Sequence, residues 1–247
     1  MRQGQTVTKE NSHYNEADAL LQNAPLFRGL DTQSREDILS RCRIITWRRS
    51  EEIDHEEGMK YCHIILKGRL KITQIDPVTG RSIAPFLLAP GDIYDVFTLL
   101  DGKEHIVFPI AMDNVTALRA PLEQAREWIE THPKFNEAFL PYLGNMMRHL
   151  EAFGESMVFD DTATRLAKLI LRHALPKTDE SDTHYPVKLI NTLSHESLAE
   201  MIGSVRSVVS TQIQKLKKEE VILSTRGQLA VKNLERLLHK IDHHQTI

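Results

Sequence analysis

Apolar positions recur along this chain with three different rhythms, and each change of rhythm marks a new part. Between Glu16 and Leu30 the residues Ala19, Leu20, Leu26, Phe27 and Leu30 predict a short helix, broken at Pro25 and Gly29. Thr32–Cys42 predicts a second, carrying Ile38 and Leu39. From Ile44 to Leu118 the texture becomes short apolar runs: Tyr61–Leu66, Leu70–Ile75, Ile83–Leu88 and Val115–Leu118. Turn signals separate them at Glu57-Gly58, Lys67-Gly68, Asp76–Gly80, Ala89–Asp92 and Asp101-Gly102. Strands at that spacing predict a β-sandwich or small barrel.

Pro121 opens a helical stretch holding Ala125, Trp128 and Ile129, which Pro133 interrupts. From Phe139 the apolar residues are Phe139, Leu143, Met146, Leu150, Phe153 and Met157, with spacings of 4, 3, 4, 3 and 4. That is a heptad seam, so Leu143, Met146, Leu150, Phe153 and Met157 are the expected interface of a homodimer. Pro141 and Gly144 weaken the start and leave Asn145–Phe159 as the firm part. A helix packed only on its own barrel is the alternative. Thr162–Ala174 predicts a further helix with Leu166, Leu169 and Ile170 inward, and the polar, acidic Pro176–Tyr185 a loop.

Leu193–Glu220 reads as two short helices around a tight turn. Ser194 starts the first, Leu198, Ala199, Met201 and Ile202 give it an apolar side, and Gly203 ends it. Ser204 is the expected cap of the second, whose inward stripe is Val205, Val209, Ile213 and Leu216. Its other face carries Arg206, Ser207, Ser210, Thr211 and Gln214, and Lys215, Lys217 and Lys218 follow. A polar face without carboxylates, ending in lysines, suits a helix that lies in a major groove and touches phosphates. An ordinary helix hairpin would show similar polarity. The next segment favours DNA: Val221–Leu223, the turn Arg226-Gly227 and Leu229–Val231 predict a hairpin placed as a wing, with Arg226 at its tip.

The 247 residues suffice for two domains with separate cores. The expected division is a disordered polar tail over 1–15, a sensory barrel over 16–125, a dimerisation helix over 134–160 and a winged helix over 161–247. No apolar run approaches the roughly 20 residues that span a bilayer, and Met1–Asn15 lacks an apolar signal core. A cytoplasmic protein that avoids membranes is expected. The net charge of −3 is uneven: from Lys188 to Ile247 nine Lys/Arg face six Asp/Glu, while the remainder holds 22 against 28. A positive C-terminal part on an acidic body fits local attraction to phosphate. Cys42 and Cys62 are too few for a disulfide framework or a four-thiolate iron–sulfur cluster, and read as reduced, buried residues. His239, His243 and His244 have an i, i+4 metal-like spacing, but no cysteine or carboxylate cluster accompanies them. They read as a helix end, and no metal is expected. With no glycine-rich phosphate loop and no nucleophile–base pair, the chain does not read as an enzyme.

The order of these parts resembles the cyclic-AMP receptor / fumarate-nitrate regulator (CRP/FNR) family of bacterial transcription factors, over about Leu20 to Leu238. The resemblance rests on Gly58, Ile64–Gly68 with Leu70 and Ile72, Pro90-Gly91-Asp92, the helix seam, and Leu198–Gly203. It implies an α+β fold: a cyclic-nucleotide-binding-like jelly roll, a long dimerisation helix and a C-terminal winged helix-turn-helix. It also implies double-stranded DNA with a palindromic operator, a second copy of the chain and RNA polymerase as partners. Many members begin the recognition helix Arg-Glu-Thr-Val, then Ser or Gly, then Arg. Here Arg206 keeps the first arginine, but Ser207 replaces the glutamate and Thr211 the last arginine. The family's common operator is therefore not expected.

Cyclic-nucleotide binders of the family carry a glutamate for the ribose and an Arg-Ser pair for the phosphate. Those positions fall near Val96, Ile106 and Val107 here, and a cyclic phosphate would find no fixed cation among Val96, Phe97, Ile106, Val107 and Phe108. Cyclic AMP is disfavoured. An apolar pocket of these residues with His105 would suit haem, another apolar effector, or no effector. Cys62 and His63, adjacent on a strand, point to opposite faces. Two further readings stay open: a haem- or gas-binding sensor without DNA affinity, and a constitutive DNA-binding protein with an empty barrel.

Overall fold

The computed structural model describes residues 4–8, 12–177, 183–225 and 228–242, without the side chains of Ser12 and Asp242. It divides into two compact units, the first comprising the chain to Gln74 and from Phe86 to His149. Its elements, with those that cross into the second, are β1 (Gln5–Thr6), α1 (Ser12–Asn23), α2 (Thr32–Ser40), β2 (Arg43–Trp47), α3 (Glu56–Lys60), β3 (Tyr61–Lys67) and β4 (Leu70–Ile75). Then come β5 (Ser82–Leu88), β6 (Ile93–Tyr94), α4 (Val96–Asp101), β7 (Phe108–Ala111), β8 (Val115–Pro121), α5 (Leu122–Thr131) and α6 (Pro133–Phe159).

Two sheets make the jelly roll, one ordered β1-β2-β8-β3-β6 and the other β5-β4-β7. Period-two alternation splits each central strand between two cores. On β3, Cys62, Ile64 and Leu66 join Leu21, Phe27, Trp128, Phe135 and Phe139 beneath the helices. Ile65, one position out of phase, joins Trp47, Leu70, Ile72 and Ala117 between the sheets. Each such fully buried side chain contributes about 1.5–3 kcal/mol by leaving water, so a one-residue slip in β3 would exchange both sets at once.

Three expectations change here. The tail is not wholly unstructured: Gln5 and Thr6 pair antiparallel with Ile44 and Arg43, and Val7 is buried. An edge strand offers unpaired backbone groups to any extended segment, and a two-residue strand leaves no periodic trace in sequence. Helix α1 also begins at Ser12 rather than Glu16. Finally, α6 runs unbroken through Pro141, because buried Phe135 and Phe139 fix its first turns to the core. The proline removes one backbone hydrogen bond on a side that is open to water.

The second unit comprises Ile75–Pro85 and the chain from Leu150. It adds α7 (Thr162–His173), β9 (Tyr185–Pro186), α8 (His195–Met201), α9 (Arg206–Lys218), β10 (Ile222–Thr225), β11 (Gln228–Val231) and α10 (Leu234–Asp242). Asp161 caps α7 by accepting from the Thr164 amide at 2.8 Å, and Ser194 caps α8 through the Ser197 amide at 3.1 Å. Leu166, Ile170, Val209, Ile213, Leu216 and Leu237 are buried in this unit. The wing has three strands, ordered β10-β11-β9, so Tyr185 at the end of the expected loop is paired with Val231.

Candidate nucleic-acid interface

Gly203 turns the chain between α8 and α9 with φ +57, and a Cβ there would lie 2.7 Å from Met157 Sδ. Both facts demand glycine. The Ser204 amide closes the turn on the Ala199 carbonyl at 2.9 Å. Ser204 does not cap α9. Val205 holds the cap position, makes no side-chain cap bond and is 58% exposed, so it also leaves the inward stripe. The turn's own backbone bond replaces the expected hydroxyl.

Along α9, Val209, Ile213 and Leu216 are buried, while Arg206, Ser207, Thr211, Gln214, Lys217 and Lys218 are exposed and Ser210 is half-buried. The helix sorts its polar and apolar residues as its period requires. Thr211 Oγ1 donates to the Ser207 carbonyl at 3.1 Å, which leaves its oxygen lone pairs outward. Arg206 makes no ion pair among the described residues. Beside it a cleft of about 780 Å3 opens, lined by residues 190–196, Arg206, Ser224 and Thr225 among others. His195, the first residue of α8 and part of that lining, meets Ser210 of α9 with Nδ1 2.8 Å from Oγ. Arg226, His243 and His244 lie outside the described residues.

Of the expected effector residues Phe97 and His105 meet, with ring centroids 4.8 Å apart, but the set does not form one pocket. Val96 is buried beneath the helices and Val107 between the sheets. Phe97, Ile106 and Phe108 are 40, 63 and 40% exposed. The segment folds as α4, capped by Asp95 in the left-handed region (φ 61). The Asp95 carboxylate is buried, accepts from Thr98 Oγ1 at 2.7 Å, and stands 2.9 Å from His105 Nδ1. Gly58 admits it, since a Cβ there would sit 2.6 Å from Asp95 Oδ2. Neighbouring cations are engaged: Arg126 donates to the Leu99 and Thr98 carbonyls, and Lys103 stands 3.7 Å from Asp101.

On α6, Met146 and Leu143 pack partly buried against the helical core, and Met157 Sδ receives Arg165 Nη1 at 3.0 Å. Leu150 and Phe153 are half-buried. The exposed large apolar residues are Leu140 (67%) and Met147 (70%), with Val158 and Phe159 at the end of the helix. Joined to their half-buried neighbours, the first two form a second heptad row, Leu140, Leu143, Met147, Leu150, Gly154 and Met157.

The Crp-like helix-turn-helix domain family matches residues 164–240. The chain is 25% identical to the global nitrogen regulator of Synechocystis sp. over 177 residues, 69% of this chain and 76% of that protein. It is 21% identical over 222 residues to the CRP-like cAMP-activated global transcriptional regulator of Mycobacterium tuberculosis, covering 86% of this chain and 98% of that one. Its fold is that of a CooA variant from Carboxydothermus hydrogenoformans, with a TM-score of 0.69 and 19% identity over 82% of this chain and 89% of that one. A CRP/FNR family regulator from Thermus thermophilus superposes with a TM-score of 0.62 at 19% identity, covering 82% and 100%. Residues 164–240 belong to the Crp-like helix-turn-helix domain family, and the chain as a whole is similar to CRP/FNR regulators.

As a CRP/FNR-type DNA-binding transcription regulator it carries features that sequence reasoning missed. His195 is one, because its partner lies 15 residues away on another helix. Another is a polar row inside the barrel, where His63 stands opposite Tyr94 on one side and Arg119 on the other. Arg119 is buried, 3.3 Å from Glu57 Oε2 and with its guanidinium carbon 4.3 Å over the Tyr61 ring. His63 is fully buried, and its ring nitrogens make no hydrogen bond among the described residues; Glu57 is 3.6 Å away. Burial holds its imidazole below the ordinary value. Burial also pushes the Cys62 thiol up to about 12 and raises that of Cys42, so neither is a reactive thiolate.

Proposed function

We propose that this CRP/FNR chain is a homodimeric, sequence-specific transcription regulator that reads DNA with Arg206, Ser207, Ser210, Thr211 and Gln214. Lys217 and Lys218 anchor phosphates, RNA polymerase is its protein partner, and its effector is not cyclic AMP. The carboxylate-free exposed face of α9, presented beside a glycine-closed turn, carries the reading. Any Asp or Glu on that face would repel the phosphate backbone. Dimerisation follows from the row Leu140, Leu143, Met147, Leu150, Gly154 and Met157, which leaves large apolar side chains in water in a single copy.

The effector argument is electrostatic. A cyclic phosphate beside α4 would meet the buried Asp95 carboxylate, and an anion does not bind against a fixed anion. Haem is not supported either, since two of the six expected residues are core and Phe97, Ile106 and Phe108 open to solvent. The Mycobacterium relative is named as cAMP-activated; here that role falls to an effector of different chemistry.

Selection of bound DNA from a random pool tests the reading, run with and without millimolar cyclic AMP. The expected product is a palindrome with half-sites about 10 base pairs apart, unchanged by the nucleotide. Absence of enrichment would sink the DNA reading, a single unrepeated half-site the dimer, and nucleotide-dependent enrichment the effector argument.

A further inference from the structure

The packing of α8 on α9 brings together two groups that sequence keeps apart. His195 Nδ1 and Ser210 Oγ are 2.8 Å from each other, and His195 Nε2 makes no hydrogen bond among the described residues. Ser210 lies on the polar side of α9, one turn beyond Arg206. We propose that His195 is a positioning residue for base reading, which sets whether the Ser210 hydroxyl accepts from or donates to the DNA. This inference rests on the reading of α9 as the recognition helix.

The chemistry follows from proton counting. In a neutral imidazole one nitrogen donates and the other accepts. With the proton on the open Nε2, Nδ1 accepts the Ser210 proton and the serine oxygen is left as an acceptor. It then suits cytosine N4 or adenine N6, which donate in the major groove. With the proton on Nδ1 instead, Nδ1–H donates to Ser210 Oγ. The serine proton is released and turns to an acceptor, guanine O6 or N7 or thymine O4. Around His195 the charged residues lining the cleft are Glu196, on the same helix, and Arg206 on α9. Residues 190–194 and the lining residues of β10, Ser224 and Thr225, bring no charge.

The test is selection of bound DNA from a random pool with the wild type and variants at the two positions. The wild type should prefer cytosine or adenine at one base pair by about three- to tenfold, the worth of one net hydrogen bond. His195→Ala should lose preference at that pair, Ser210→Ala should lose the same pair, and the double variant should lose nothing more. His195→Asn, whose amide can accept the serine proton, should keep the preference. A uniform loss of affinity in His195→Ala, with that preference intact, would make His195 a phosphate contact and overturn the proposal. Additive losses in the double variant would overturn it too. A wild type that selects no sequence overturns both this inference and the DNA reading, and so differs from one that selects but ignores position 195.

Discussion

Arg206 and the pair Lys217 and Lys218 stand at opposite ends of α9, roughly 18 Å apart at 1.5 Å per residue. A guanidinium at the helix start can grip guanine O6 and N7 together, which discriminates by about 1–3 kcal/mol. Each lysine that neutralises a phosphate adds about 0.9 to the salt slope. Arg206→Ala should therefore relax preference at one base pair per half-site, while Lys217→Gln with Lys218→Gln should weaken all sequences alike and flatten the salt dependence. Titrations of selected and scrambled DNA across a salt series separate the two; a uniform loss in the arginine variant would make Arg206 an anchor. These residues were legible in the sequence because one amphipathic helix sorts its own faces. Arg119 was not, since it continues the inward alternation of Val115 and Ala117 into the barrel, where Glu57 and Tyr61 come from another segment to cover it. Asp95 was hidden for a similar reason, its burial depending on the absence of a side chain at Gly58.

On helix α6 one period admits two faces. The heptad was plain, but two rows one position apart, through Met146 and through Met147, both keep 4-3 spacing. Packing against the barrel decides between them, and that is tertiary information. Phe139 is buried and Met146 lies against the core, so they serve the protomer, whereas Met147 is 70% exposed. Leu143, Leu150 and Met157 belong to both readings. Met147→Glu should place like charges face to face across the two-fold axis and raise the dimer dissociation constant by at least about a hundredfold, on the order of 3 kcal/mol. Its melting point as a monomer should change little. Met146→Glu should instead cost the fold about 3 kcal/mol, because a carboxylate would be pressed against apolar core. Sedimentation and thermal melts of the two variants distinguish the rows, and a monomeric Met146→Glu with an intact melt would assign the interface to the row through Met146 and Phe153.

The chain keeps its charges apart: a positive C-terminal part, an acidic remainder, and among the described residues no helix long and apolar enough to cross a membrane. Inside the barrel the row Tyr94, His63 and Arg119 buries titratable groups, and it ties stability to pH. Burial holds the His63 imidazole below its ordinary value, more strongly than nearby Glu57 raises it. The unfolded chain therefore binds a proton near pH 6.5 that the folded chain refuses. Stability is full above that pH and falls as acid is added, by up to about 1.4 kcal/mol per pH unit for one group. Glu57 acts in the same direction but later. His63 and Arg119 hold its carboxyl below the ordinary value, so its contribution is lost only below about pH 4.3. Between pH 7.5 and 5.5 the histidine alone should lower the melting point, by a few degrees for a chain of this size. His63→Phe keeps a ring between Trp47 and Tyr94, whose centroids lie 5.3 and 5.8 Å from that of His63, and removes the proton. Its melting point should be flatter over that range, although Glu57 then loses a partner and the acid limb below pH 4.5 should steepen or shift. A variant that melts with the wild-type slope between pH 7.5 and 5.5 would show that the pH dependence arises elsewhere, and that His63 titrates as freely in the folded barrel as in the unfolded chain.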